Sequence, residues 1–102
     1  AQLLKSQIRV GDLAARVGGE EFIVILPSTH QEDAVEIAER IRLSIETTPI
    51  LYNDNQHISL TASCSVGSIV PKKSDTATHF IEMIDALLYR AKAQGRNRVL
   101  VL

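Results

Sequence analysis

The chain has 102 residues, 45% of them hydrophobic and 23% charged, a composition typical of one soluble α/β domain. Its formal net charge of −1 argues against bulk electrostatic binding to nucleic acid or to an anionic membrane. No apolar run approaches the roughly 18 residues that span a bilayer, and no signal peptide is visible. Cys64 is the single cysteine, which excludes a disulfide framework and a thiolate metal cluster, so we expect a cytoplasmic domain with Cys64 in its core.

The first half of the chain predicts a helix end, a β-hairpin and a second helix. Residues 1–8 have the pattern of the last turns of a helix. The runs "LAARV" and "FIVILP" flank "GGEE", and glycine tolerates the positive φ angles of tight hairpin turns. Thr29 and Glu32 predict a capping box, and apolar residues recur at helical spacing from Ala34 to Ile45. Pro49 ends that helix.

The second half predicts a strand, a helix and a final strand. "YNDNQ" is a polar turn, and residues 58–70 are β-branched and serine-rich, which favours a strand. The last helix is expected from about Thr78 to Gln94, with Gly95 just beyond its end. Its apolar face is expected to hold Ile81, Ile84, Leu88 and Ala91. "RVLVL" closes the chain as a strand, which predicts an α/β (α+β) domain with a mostly antiparallel sheet.

Adjacent carboxylates at the hairpin turn are the first candidate site. Glu20 and Glu21 are hard oxygen ligands of the kind that binds Mg²⁺ together with substrate phosphates. Gly18 and Gly19 would let a nucleotide approach the backbone closely. The simpler interpretation is a solvated turn, which the turn chemistry alone favours.

Basic residues at the end of the last helix form the second candidate site. Lys92 and Arg96 lie four residues apart, and cations at this position also complement the helix dipole without any ligand. Combined with the carboxylates, they supply the two halves of a phosphoryl-transfer site. The two clusters together indicate a nucleoside triphosphate substrate.

Two longer motifs carry a family resemblance. "ARVGGEEF" resembles the GGDEF signature of diguanylate cyclases in its GGEEF form, and "DALLYRAKAQGRNRV" is similar to the C-terminal signature of the same family. The resemblance covers essentially all of residues 1–102 as a single domain. It implies a palm-like fold with a central sheet flanked by helices. It also implies condensation of two GTP molecules to cyclic di-GMP and pyrophosphate by a homodimer, in bacterial second-messenger signalling.

The resemblance also assigns roles to individual residues. Glu20 would bind the metal and help to deprotonate the attacking hydroxyl, and Glu21 would be a second catalytic carboxylate near the metal. The metal would be Mg²⁺, with Mn²⁺ as an alternative. The substrate-binding residues implied are Gly18, Gly19, Lys92 and Arg96.

"RVGD" upstream of the hairpin matches the RxxD inhibitory motif of the family. Asp12 lies six residues before Gly18, as in the family. Arginine can bind phosphate oxygens bidentately and stack on guanine, and aspartate accepts from the guanine N–H edge. The resemblance therefore implies that cyclic di-GMP inhibits the enzyme at Arg9 and Asp12, with Arg40 or a neighbouring chain contributing. An exposed helix-end ion pair is the alternative.

One part of the family pattern is absent before Arg9. In the family, a first strand carries a metal-binding aspartate, and further residues bind the guanine base. We expect this N-terminal part of the domain to lie outside the given sequence, following a sensor or receiver domain. The alternative is that the chain is a fragment that lacks it. Without it, "FIVIL" and "SCSVGSI" should keep unpaired edges and residues 1–102 alone should be inactive. Two alternatives remain, a non-catalytic module that binds cyclic di-GMP and a purely structural partner domain.

Overall fold

The computed structural model describes residues 6–16 and 21–102, with Tyr52 by its backbone alone. Residues 1–5, which carry most of the predicted first helix, and residues 17–20 of the hairpin turn lie outside this part. The described helices are α1 (Gln31–Thr47) and α2 (Ala77–Ala93). The described strands are β1 (Leu13–Arg16), β2 (Phe22–Ile25), β3 (Ile50–Asn53), β4 (Gln56–Ile58), β5 (Cys64–Val66) and β6 (Val99–Val101).

The strands form three pairs. β1 with β2 and β3 with β4 are antiparallel, and β5 with β6 is parallel, so the mostly antiparallel arrangement is confirmed. Leu13 lies opposite Ile25 and Arg16 opposite Phe22, which confirms the predicted hairpin around the glutamates. In the described part of the chain each strand has one partner, so β2 and β5 keep one unpaired edge, as expected.

The long strand predicted over residues 58–70 is wrong. Only Cys64–Val66 is a strand within it, while Ile58 pairs back to Ile50 in a β3–β4 hairpin that the sequence pattern did not reveal. The polar turn itself is confirmed. There the backbone N–H of Asn55 donates to the side-chain oxygen of Asn53 at 3.2 Å, an Asx turn that reverses the chain before the strand can continue.

The core lies where α1 and α2 pack on the β5–β6 pair. Leu87 and Ala91 of α2 are buried, together with Ala34 and Ile41 of α1, in agreement with helical spacing of apolar residues. Ile81 is exposed, so its predicted place on the buried face is wrong. Leu87 takes the buried position because it lies one turn before Ala91 on the face that meets the strands.

Helix α2 packs closely against the backbone at Gly67, just after β5. A Cβ atom at this position would lie 2.5 Å from Cδ1 of Ile84 and 3.1 Å from the ring of Phe80. The hydroxyl of Ser65 donates to the carbonyl of Ile84 at 2.9 Å. The absence of a side chain at Gly67 therefore sets the distance between helix and strand. No helix among the described residues is long and apolar enough to span a bilayer.

Candidate active and regulatory sites

The "RVGD" motif forms a β-turn immediately before β1. The backbone N–H of Asp12 donates to the carbonyl of Arg9 at 3.1 Å, and Gly11 has the positive φ of 96° that the third residue of a type II turn requires. The Asp12 carboxylate accepts from the Arg9 backbone N–H at 2.8 Å and from its Nε at 3.4 Å. The Arg9 side chain is 57% exposed and that of Asp12 only 3%, so the turn buries the acid and presents the cation.

Thr29 extends this turn into a small cluster. Nη2 of Arg9 donates to Oγ1 of Thr29 at 2.6 Å, and that hydroxyl donates to the carbonyl of Pro27 at 3.0 Å. The Thr29 hydroxyl thus bonds Arg9 and Pro27. Helix α1 begins after His30, which provides no side-chain cap. The predicted capping box of Thr29 and Glu32 is therefore wrong. A shallow groove of about 250 Å³ runs past the cluster and is lined by Arg9, Val10, Gly11, Asp12, Pro27 and Ser28.

Arg40 of α1 lies against the same region. Its Nη2 donates to the carbonyl of Gln7 at 3.0 Å, two residues before Arg9. The structure thus brings the three residues of the predicted inhibitory site to one side of the molecule. The Arg9–Asp12 ion pair of the simpler alternative is also present, but it is one part of a larger set of contacts.

Glu21 and Lys92 bring the two candidate catalytic clusters together. Nζ of Lys92 lies 3.6 Å from Oε1 of Glu21, with both side chains partly exposed. Glu21 directly precedes β2, and Lys92 lies in the last turn of α2. The remaining predicted residues of the glycine-glutamate turn, Gly18, Gly19 and Glu20, lie outside the described residues.

Arg96 follows the end of α2, where the chain adopts a Schellman motif. Gly95 has φ of 120°. Its N–H donates to the carbonyl of Lys92 at 3.4 Å, and that of Arg96 donates to the carbonyl of Ala91 at 3.0 Å. The predicted helix end at Gly95 is confirmed. Arg96 itself is exposed, so its guanidinium is accessible near the end of α2.

The donor chemistry at Glu21 fits a magnesium ion. Mg²⁺ commonly binds through one or two carboxylates, keeps several waters and shares substrate phosphates. Glu21 supplies one such carboxylate and Glu20 precedes it in the chain. Among residues 6–16 and 21–102, no group of three or more histidine, cysteine or acidic side chains could hold a metal ion.

A polar network between α1 and the segment that follows α2 was not predicted. Arg42 of α1 donates from Nε to Glu39 at 2.9 Å and from Nη1 to the side-chain oxygen of Asn97 at 2.8 Å. The Arg42 hydrogen bond lowers the pKa of Glu39 from its ordinary value of 4.5. Cys64 is half-buried at the edge of the core, and this burial raises the pKa of its thiol, which makes the thiol less reactive. The sequence signal for this contact was Asn97, which follows Gly95 and Arg96. Asparagine tolerates left-handed backbone and is therefore common where a helix ends in a turn.

The sequence matches the family described as diguanylate cyclase, GGDEF domain, over residues 1–98. The chain belongs to this family. Diguanylate cyclase A of Treponema denticola is 44% identical over 99 residues, which cover 97% of the chain and 26% of that protein. The chain thus spans about a quarter of this relative's length.

Solved structures of GGDEF proteins share the fold. Diguanylate cyclase SiaD of Pseudomonas aeruginosa, solved with its activator SiaC, has a TM-score of 0.89 and 33% identity, covering 99% of this chain and 38% of that one. The GGDEF domain of DgcB from Caulobacter crescentus, solved with c-di-GMP, has a TM-score of 0.83 and 27% identity, covering 98% and 57%. The expected GGDEF fold is confirmed.

Proposed function

We propose that the protein containing this chain is a diguanylate cyclase that condenses two GTP molecules into cyclic di-GMP and two pyrophosphates. The observation that carries the proposal is the 3.6 Å approach of Lys92 to Glu21. It joins a cation suited to phosphate with a carboxylate suited to metal, in a chain that belongs to the GGDEF family.

The reaction would join substrates held by two copies of the domain. The 3′-oxygen of one GTP forms a bond to the α-phosphorus of the other, and the bond from that phosphorus to the bridging oxygen of pyrophosphate breaks. Pyrophosphate leaves with the electron pair, and the proton of the 3′-hydroxyl is lost to a base. Two such transfers close the ring, which is why a homodimer is required.

Each cluster has a distinct role in this reaction. Lys92 and Arg96 would bind the phosphates and stabilise the negative charge that develops on them. Gly18 and Gly19 would leave room for the nucleotide, and Glu20 and Glu21 would hold Mg²⁺ or Mn²⁺. When bound, the metal would neutralise phosphate charge and polarise the phosphoryl oxygens.

Product inhibition is proposed at the Arg9 cluster. The exposed Arg9 guanidinium beside a groove is suited to a phosphate or a guanine face, and Arg40 adds a second cation. Cyclic di-GMP carries both chemical groups. Its binding would hold the domain in an arrangement unable to bring two GTP molecules together.

Two substitutions in the complete protein test both sites together. Glu21→Gln should lower cyclic di-GMP synthesis by about 10²–10³-fold while leaving cyclic di-GMP affinity unchanged, because it removes metal-binding charge only. Arg9→Ala should abolish product inhibition and spare synthesis. Glu36→Gln, an exposed acid on α1, is the matched control. Synthesis that survives Glu21→Gln unchanged would refute the catalytic proposal.

A second candidate is a sensor that binds cyclic di-GMP without catalysis. The assembled contacts of Arg9 with Asp12 and Thr29 favour it, because they require no turnover. It predicts product binding that Arg9→Ala removes, with no synthesis in the wild-type protein. A purely structural domain would bind neither nucleotide. Residues 1–102 alone are expected to show no GTP turnover, since nothing before Arg9 supplies the further metal-binding aspartate that the family resemblance implies.

A further inference from the structure

Three consecutive residues after α2 have left-handed backbone. The φ angles are 120° at Gly95, 62° at Arg96 and 47° at Asn97. For a residue other than glycine this conformation costs about 1 kcal/mol or more. Arg96, which has a Cβ and no side-chain preference for this region, must therefore be held there by its surroundings.

Main-chain contacts hold the chain on both sides of this segment. The Schellman bonds anchor Gly95 and the N–H of Arg96 to the last turn of α2. Nε of Arg98 donates to the carbonyl of Arg96 at 3.1 Å. Directly after the segment, the N–H of Cys64 in β5 donates to the carbonyl of Arg98 at 2.9 Å, so main-chain bonds anchor the chain on both sides of Arg96 and Asn97.

The side chain of Asn97 connects the segment to α1. Its oxygen accepts from Nη1 of Arg42 at 2.8 Å, and its nitrogen donates to the carboxylate of Glu46. Arg42 is held in turn by Glu39 and lies 3.8 Å from Glu46. The Arg42 side chain is only 14% exposed and that of Glu46 is 38% exposed, so a largely buried cation and a partly exposed carboxylate of α1 bind the two ends of the amide.

We propose that Asn97, clamped by Arg42 and Glu46, is a positioning residue that orients Arg96 toward the GTP phosphates. The inference rests on the proposed phosphate-binding role of Arg96. With the clamp removed, Arg96 and Asn97 can relax to ordinary backbone angles, which redirects the Arg96 guanidinium. Asn97 itself points to α1 and does not touch substrate.

The test is a double-mutant cycle in the complete protein. Asn97→Gly still permits positive φ but removes the clamp, and it should raise KM for GTP about ten- to a hundredfold, since small misplacements of a binding group are costly. In an Arg96→Ala background, Asn97→Gly should have no further effect. Asn55→Gly, in the exposed β3–β4 turn, is the matched control and should change nothing.

The outcomes separate this inference from the proposed function. If Asn97→Gly lowers activity equally with and without Arg96, the clamp serves folding alone and the positioning role is overturned. If Arg96→Ala itself leaves GTP kinetics at wild-type values, the phosphate role of Arg96 fails and the inference falls with it.

Hydrogen exchange supplies a readout that does not depend on activity. Asn97→Gly should speed exchange at the Arg96 amide, while the Ala34 amide at the start of α1, which donates to the carbonyl of His30, stays unchanged. Unchanged exchange at Arg96 would overturn the positioning role whatever the GTP kinetics show.

Discussion

The β5–β6 core and the β1–β2 hairpin differ in how much of their apolar side chains they bury. In the core, both helices pack on the strand pair, and Leu87 is 6% exposed. In the hairpin, Leu13 is 56% exposed, and Phe22 and Ile25 are also exposed. Because its apolar side chains are exposed, the β1–β2 hairpin depends more on hydrogen bonds and local contacts than the core does. An isolated hairpin of this kind is only marginally stable.

The proposed chemistry lies where these two regions meet. Glu21 belongs to the hairpin and Lys92 to a helix of the core, while the Arg9–Asp12 turn lies at the other end of β1. A rigid core thus presents the cations, and a less buried hairpin presents the carboxylates. Substitutions in the core and in the hairpin should therefore differ in their effect on stability.

The largest expected effect lies at the contact between the regions. Lys92→Met should lower cyclic di-GMP synthesis by about 10³-fold, because the charge proposed to bind phosphate is lost. Stability should change little, since the Lys92–Glu21 pair is partly exposed. Steady-state kinetics and thermal unfolding of the complete protein measure both quantities. Lys73→Met, in an exposed loop, is the control. Equal losses in the two variants would contradict the assigned role of Lys92.

The next effect compares burial in the two regions directly. Leu87→Ala should lower the free energy of unfolding by about 3 kcal/mol, since it leaves a cavity in the core. Leu13→Ala should cost less than about 1 kcal/mol, because little of that side chain leaves water. Urea denaturation measures both. A cost at Leu13 as large as at Leu87 would show that the complete protein covers the hairpin face.

A smaller effect is expected at the Arg9–Asp12 turn, where we propose that cyclic di-GMP binds. Thr29→Val removes the hydroxyl that accepts from Arg9, and we expect about tenfold weaker binding of cyclic di-GMP, since a hydrogen bond that preorganises a charged group is lost. Isothermal titration calorimetry measures the affinity. Thr47→Val, whose hydroxyl bonds only its own helix, is the control. Tighter binding in Thr29→Val would show that Thr29 competes with the product for Arg9.

The smallest effect concerns the acid stability of the Glu39–Arg42 pair on α1. The Arg42 hydrogen bond lowers the pKa of Glu39 below 4.5. The stabilisation is therefore present above the unfolded-state pKa and is lost as pH falls through the lower folded-state value. Glu39→Gln should be less stable than wild type near neutral pH, with the difference shrinking below about pH 4.5. Thermal unfolding from pH 3 to 7 tests this. A difference independent of pH would contradict it.

Local patterns predicted the parts of the fold that local forces decide. The pairing of β1 with β2, the apolar spacing of α1 and the end of α2 at Gly95 each depend on residues a few positions apart. The long strand over residues 58–70 failed because Ile58 pairs with Ile50 across an Asx turn, a choice between partners that a run of β-formers does not reveal. The capping box failed because Arg9, twenty residues upstream, takes the Thr29 hydroxyl.

The sequence by itself determined the chemical groups of this protein: paired glutamates after two glycines, a lysine and arginine four residues apart, and an arginine and aspartate in one turn. Their motifs were sufficient to indicate the GGDEF family. Only the tertiary structure decided which groups meet. Glu21 and Lys92 are 71 residues apart in number, and Arg42 and Asn97 are 55 apart. Contacts over such separations follow from how helices pack on strands, which no local propensity encodes.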